Sequence, residues 1–206
     1  MTVRHFGSTS GYTELGAPAV AGNNSLKLPT GNGSAGQSML TDGSGNLSFG
    51  SSIVSGTSQA STSGTSIDFT GIPSWVKRVT VMFNGVSLSG TSGYLLQLGD
   101  SGGIENTGYT STTVTVDSAG ASAGLNSTAG FVWYSDSSSY VHSGLWVVTN
   151  VSGNAWVSMH QGRLSTTNNV SGGGTKTLSE TLDRVRITTV NGTDTFDAGT
   201  INLLWE

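Results

Sequence analysis

From residue 66 onward the chain is a succession of short runs in which apolar and polar positions alternate, separated by clusters of Gly, Asn, Asp and Ser. A period of two places successive side chains on opposite faces of a strand. A helix instead needs apolar residues at i, i+3, i+4 and i+7 over about ten residues or more, and no window keeps that pattern. The alternation therefore predicts an all-β region. Its strongest strand lies at 75–85, where Val79, Val81 and Phe83 share one face, and Asn84-Gly85 then reads as a hairpin turn. Further strands are expected at 94–98, 112–116, 129–134, 144–151, 155–164, 184–190 and 200–205, enough for two packed sheets. In 155–161, Ala155, Val157 and Met159 alternate with Trp156, Ser158 and His160, so one set faces inward and the other meets solvent or a neighbouring subunit. At the end of the chain Ile201, Leu203 and Trp205 alternate with Asn202 and Leu204, which puts apolar groups on both faces and predicts a central strand or a subunit contact.

The segment 26–49, LKLPTGNGSAGQSMLTDGSGNLSF, has a different texture. Leu26 and Leu28 alternate with polar neighbours, 29–33 is a turn cluster, 38–41 is extended, 42–46 turns again, and Leu47 and Phe49 alternate once more. Leu26, Leu28, Leu40, Leu47 and Phe49 are too few to close a core within one chain, so the segment predicts partner chains. The Gly/Ser/Thr-rich stretch 50–65, with Ile53 and Val54 as its adjacent apolar anchors, reads as a linker between an N-terminal segment, 1–52, and a head, 53–206.

Composition narrows the classes. Charged residues make up 10% of the 206, against roughly 25% in an average globular protein, and 31 glycines with abundant Ser, Thr and Asn take their place. Eight basic residues are scattered and outnumbered by twelve acidic ones, so no stripe exists to neutralise phosphates and nucleic-acid binding is not expected. Zero cysteines exclude disulfides and thiolate metal sites. The N-terminal MTVRHFGSTSGYTE has no apolar h-region and no apolar run is long enough to span a bilayer, so neither secretion by a signal peptide nor membrane insertion is expected.

Several residues invite chemical readings. Gly99-Asp100-Ser101-Gly102-Gly103 matches the nucleophile loop of chymotrypsin-like proteases, in which a histidine oriented by an aspartate activates the serine. Here His5 is the one upstream histidine and His142 and His160 follow the serine, the wrong order for that fold, so the loop is read as a glycine-rich turn. Asp100, Glu105 and Asp117, and separately Asp194 and Asp197, offer oxygen ligands of the kind Ca²⁺ takes, but their spacing matches no ligand loop and turn chemistry is the expected role. No histidine pair has zinc spacing and neither His142 nor His160 has an evident carboxylate partner, so each is read as a surface or interface histidine, and no metal or cofactor is expected. Trp133, Tyr134 and Tyr140 flank a Ser/Asp tract and are candidates for an aromatic platform contacting a receptor, against the alternative that such rings fill a core. The loops expected to be free for contact are 120–127, 135–140 and 166–174.

The repeat-like 26–49 resembles the short segments that precede head domains in bacteriophage tail-fibre and other virion fibre proteins, where three chains intertwine into a narrow β-prism. SIDFTGIPSWVKRVTVMFNGVS (66–87), LLQLGDSGGIENTGY (95–109) and NGTDTFDAGTINLLWE (191–206) are similar to the C-terminal head of such proteins. The resemblance implies a homotrimer on the virion surface, with a jelly-roll-like antiparallel β-sandwich head. Leu26, Leu28, Leu40, Leu47 and Phe49 would lie in the trimer interface, and the N-terminal segment would bind other virion proteins. It implies a host-surface glycan or protein as the head's partner, and no catalytic residue. A capsid decoration that stabilises the shell without reading a receptor is the alternative. A polysaccharide depolymerase would need paired acids in a groove, commonly on a longer β-helical body, and no such repeat is present.

Overall fold

The computed structural model describes residues 3–6, 8–16, 18–20 and 22–206; Met1, Thr2, Gly7, Ala17 and Ala21 of the N-terminal segment lie outside the described residues. Every regular element among the described residues is a β-strand, and the paired strands are antiparallel. The chain forms two compact units, Met1–Ser52 and Ile53–Glu206.

The first unit contains the hairpin of β1 (Val3–Phe6) with β2 (Tyr12–Leu15) and that of β3 (Ser38–Thr41) with β4 (Leu47–Gly50). The β3–β4 turn is an Asx turn: the Asp42 carboxylate accepts from the backbone N–H of Ser44 at 2.8 Å and of Asn46 at 3.1 Å. A parallel bridge ties Lys27 to Asn46. None of this unit's described residues is buried. Leu26 is 68%, Leu28 75% and Leu40 38% exposed, while Leu47 and Phe49 are half-buried.

The second unit runs through β5 (Val54–Ser55), β6 (Gln59–Ala60), β7 (Ser66–Thr70), β8 (Arg78–Leu88), β9 (Tyr94–Asp100), β10 (Gly103–Ile104) and β11 (Thr110–Asp117). It continues with β12 (Ser122–Ser127), β13 (Phe131–Trp133), β14 (His142–Ser152), β15 (Ala155–Arg163), β16 (Asn168–Thr177), β17 (Arg184–Thr189) and β18 (Phe196–Trp205). Nine strands form one sheet in the order β12-β11-β16-β15-β14-β8-β18-β5, with β6 also on β18; five form the other, β10-β9-β17-β7 with β13 on β9. Alternation explains the sandwich. Val79, Val81 and Phe83 of β8, Trp146 and Val148 of β14, and Ile201 and Leu203 of β18 are buried in one cluster with Ile67 and Phe69 of β7, Leu96 and Leu98 of β9, and Val185 and Ile187 of β17. Full burial of each such side chain contributes about 1.5–3 kcal/mol. The closing strand is flanked by β8 on one side and by β5 and β6 on the other, with Ile201 and Leu203 buried in the core and Leu204 half-buried on the opposite face.

Three expectations are corrected. Asn84-Gly85 does not end a strand: β8 runs on to Leu88, and Gly85, at φ 68°, sits in a bulge where the register shifts against both β14 and β18. A left-handed glycine serves a primed turn and a bulge equally, and ladders on both sides keep this strand going. Second, the expected loops 120–127 and 166–174 contain β12 and much of β16, whose Gly, Ser and Asn residues present no side-chain alternation while β12 pairs along β11 and β16 pairs on both sides. Third, the expected linker 50–65 contributes β5 and β6 to the edge of β18, and Ser61 is buried with its hydroxyl donating to the Ala198 carbonyl at 2.8 Å.

Gly172 of β16 is required by close approach, since a Cβ there would lie 2.4 Å from His160 Cε1 and 2.4 Å from the Thr112 carbonyl oxygen. Gly172→Ala is expected to destabilise the head by about 1–3 kcal/mol through overpacking, whereas Gly31→Ala, with nothing within 4 Å, leaves it unchanged. Urea unfolding of the two variants checks this; equal midpoints would contradict the packing described.

Candidate binding end of the head

The sheet register assigns the head two distinct ends. At one, Val54 and Val79 face Trp205, Arg78 pairs with Thr149, Thr149 with Val157, Val157 with Thr175, and Thr175 with Thr110. The chain enters the head here. At the other, Val86 pairs with His142, Ser143 with Arg163, Arg163 with Asn169, and Asn169 with Val116. The β11–β12, β13–β14 and β15–β16 connections therefore gather at the end opposite the entry. Each is held by its own polar side chains. Asp117 accepts from the N–H groups of Ala119 at 2.9 Å and Ala121 at 2.8 Å, Ser165 Oγ accepts from those of Thr167 and Asn168 at 3.2 Å, and Ser137 Oγ accepts from that of Ser139 at 3.3 Å. Asp117, Ser118, Arg163, Thr167 and Asn168 line a shared open groove between two of these tips.

Of the aromatic trio, only Tyr140 belongs to this surface. It is half-buried in the β13–β14 loop, 6.5 Å from the His142 ring between centroids. Partial desolvation raises its pKa, helped by the carboxylates of Asp136 and Asp117, the latter from the neighbouring tip. The assignment of Trp133 and Tyr134 to a receptor platform is corrected: Trp133 is fully buried and Tyr134 is 8% exposed. Alternation allowed one face of this strand to point outward, but β13 is covered on both faces, with Phe131, Val132 and Trp133 all at 1% exposure or less. The Tyr134 hydroxyl donates to Asp136 at 2.7 Å, and burial followed by that carboxylate pushes its pKa up to about 12.

The protease-like loop is a two-residue hairpin between β9 and β10, with Asp100 opposite Gly103 and Ser101-Gly102 at the turn. Ser101 donates to Glu180 at 2.8 Å. Asp100 accepts from the Ser179 hydroxyl at 2.7 Å, the Gly102 N–H at 2.9 Å and the Glu180 N–H at 3.0 Å, and these bonds hold its pKa low. Glu105 is drawn upward by desolvation, yet Lys176 and Ser179 outweigh this and keep it below the usual carboxylate range. Lys176, a buried cation that the sequence analysis missed, also donates to the Thr107 carbonyl at 2.9 Å. Its signal was its place on the inward phase of β16. Asp194 accepts from the Ser92 N–H at 2.9 Å and Asp197 from the Ser87 hydroxyl. The calcium-type carboxylates are thus engaged in turn and ladder bonds, and among the described residues no three His, Cys, Asp or Glu side chains converge to hold a metal ion.

Both head histidines lie in the core, correcting their expected surface or interface placement. His142 reaches the Tyr94 hydroxyl at 3.2 Å and the Tyr134 carbonyl at 3.3 Å, and His160 Nε2 lies 3.0 Å from Thr113 Oγ1 with its ring stacked on Trp133. Burial lowers each to about 4 from the ordinary 6.5.

Two outcomes are expected. Because the folded state keeps both imidazoles neutral while the unfolded chain protonates them near 6.5, stability is full above that pH and falls toward pH 4, by about 3 kcal/mol per histidine. Urea unfolding at about pH 7 and about pH 4.5 measures it, and equal stabilities would contradict the buried neutral state. Ser101→Ala is expected to leave every activity unchanged, and an active-site serine phosphonate should not label the protein; stoichiometric labelling at Ser101 would overturn the turn reading. Compared with protein-family models, curated proteins and solved structures, the chain matches none.

Proposed function

We propose that this chain is a non-enzymatic structural protein of a bacteriophage virion, a homotrimeric fibre subunit whose head contacts the host surface. The observation that carries the reading is the polarity of the head: the chain enters at one end of the large sheet, and three polar connections gather at the other. That is the layout of an adhesin presented on a stalk. The first unit adds to it, because strands with no buried residue among those described gain stability by pairing with other copies and with the particle. Leu26, Leu28, Leu40, Leu47 and Phe49 are the residues assigned to that pairing. The hydroxyl, amide and carboxylate groups of the loop end suit a host-surface glycan or the polar surface of a protein, and repetition on the particle multiplies a weak single contact.

Sedimentation of the full-length protein at micromolar concentration is expected to show a trimer, and a compact monomer would overturn the assembly. Binding to host cells by the protein displayed at high density tests the adhesive role. Tyr140→Ala and Asp136→Ala should weaken it by about tenfold or more, the loss expected for a central contact. Absence of binding at every density would remove the receptor role and leave shell decoration in its place.

A further inference from the structure

On β11, and on β15 apart from the buried Trp156, the side chains are distributed in the opposite sense to that of a self-sufficient sandwich. Facing inward are Ser111, Thr113, Thr115, Ser158 and His160, none more than 7% exposed. Facing outward are Val114 and Val116 at 45%, Val157 at 40% and Met159 at 61% exposure, joined by Leu145 of β14 at 50%. The inward hydroxyls are provided for. Thr113 and Thr115 donate to the Ser171 and Asn169 carbonyls at 3.2 and 2.9 Å, Ser111 Oγ accepts from the Val132 N–H at 2.9 Å, and Ser158 Oγ accepts from the Trp146 indole at 2.8 Å. A slip of one residue would exchange the faces, so these bonds specify the register and leave the apolar set outside.

The ladder assembles that set into a continuous field. Met159 lies opposite Val147, Val147 opposite Thr80, and Thr80 opposite Leu204; in the adjacent row Leu145 lies opposite Met82. The outward neighbours on β11 and β16 are Thr112, Gly173, Ser171 and Thr175, all uncharged. Arg78, paired with Glu206, and Arg163 stand at the two ends of the field with no ionised group between them on these rows. Six strands, separated by five spacings of about 4.8 Å, and nine residues at about 3.4 Å make this field roughly 24 by 30 Å, or about 700 Å². That is close to the ~800 Å² which each partner contributes to a standard interface.

We propose that this outer face of the nine-stranded sheet is the surface on which heads of neighbouring copies of this chain pack against one another. The lack of charge favours a further copy over other occupants, since in a threefold assembly one part of the face meets another and, with no ionised group on these rows, no such juxtaposition brings like charges together. The inference rests on the homo-oligomer of the proposed function but assigns a separate contact, independent of the N-terminal strands.

The chain has no cysteine, so an introduced thiol reports alone. In the full-length protein, at a concentration where sedimentation shows an oligomer, the Met159→Cys thiol is expected to react with a maleimide about tenfold or more slowly than the Val190→Cys thiol, as burial in an interface requires, and to lose that protection on dilution to monomer. Val190 is 49% exposed and lies on the smaller sheet's side of the head, and Val157→Cys serves as a second probe of the face should Met159→Cys fail to fold. Met159→Lys should leave the circular dichroism unchanged and weaken assembly by about tenfold or more. Equal thiol reactivity within a persisting oligomer would overturn this inference and leave the N-terminal trimer standing. Protection that survives in a monomer would overturn it by showing the face covered from within one chain, and an open thiol on an obligate monomer would overturn both readings.

Discussion

The indole of Trp133 reaches the bare backbone of two adjacent strands of the opposite sheet, and the head is organised about that contact. Gly144 and Gly162 are ladder partners, and a Cβ on them would come 3.0 and 2.5 Å from the indole ring. Their missing side chains let the ring lie close to the large sheet while β13 holds it in the small one. His160 stacks on it with centroids 4.9 Å apart and planes 16° from parallel, Phe83 lies at 5.1 Å and Trp146 at 5.5 Å. Two polar edges in this cluster, Trp133 Nε1 and His160 Nδ1, are buried without a hydrogen-bond partner. Such groups are tolerated only in rings that stay neutral. The cluster therefore joins the two sheets and at the same time makes the core sensitive to acid.

A core so concentrated in aromatic rings explains how the rest of the head is filled. Where the Trp133–His160 cluster occupies the space between the sheets, β11 presents the hydroxyls of Ser111, Thr113 and Thr115 inward, β15 presents Ser158, and β16 presents Gly172, which leaves room for the rings. The aliphatic residues of those strands then fall on the outer phase. The first unit shows the same incompleteness more strongly, with Leu26, Leu28 and Met39 each more than half exposed. The chain has no cysteine and so no disulfide to restrict its unfolded state, and in the proposed assembly association with further copies stabilises apolar surface of this kind.

Legibility in the sequence followed side-chain pattern. β8, β14, β15, β17 and β18 were readable because valine, leucine, isoleucine and aromatic residues alternate along them, β9 because of its apolar run, and the all-β sandwich followed from their number. β12 and β16 were not, since a ladder is made by backbone groups and SGGG at 171–174 pairs without showing a pattern. Trp133 and Tyr134 were misplaced for a related reason: alternation tells which residues share a face but not whether both faces are covered. The loop end was partly legible. Ser/Asn/Asp-rich stretches marked the β11–β12, β13–β14 and β15–β16 connections, but only the register shows that they lie together, because Asp117 and Asn168 are brought opposite one another by pairing across some fifty residues of chain.

The central claim is that the first unit's strands acquire their stability from other copies. A two-stranded hairpin is at best marginal alone in water. Amide hydrogen exchange across Ser38–Thr41 and Leu47–Gly50, followed in the full-length protein from tens of micromolar down to a concentration at which sedimentation shows monomer, tests it most directly. Protection that is present in the oligomer and lost in the monomer is the predicted result. Equal protection of these amides in the monomer would contradict the claim.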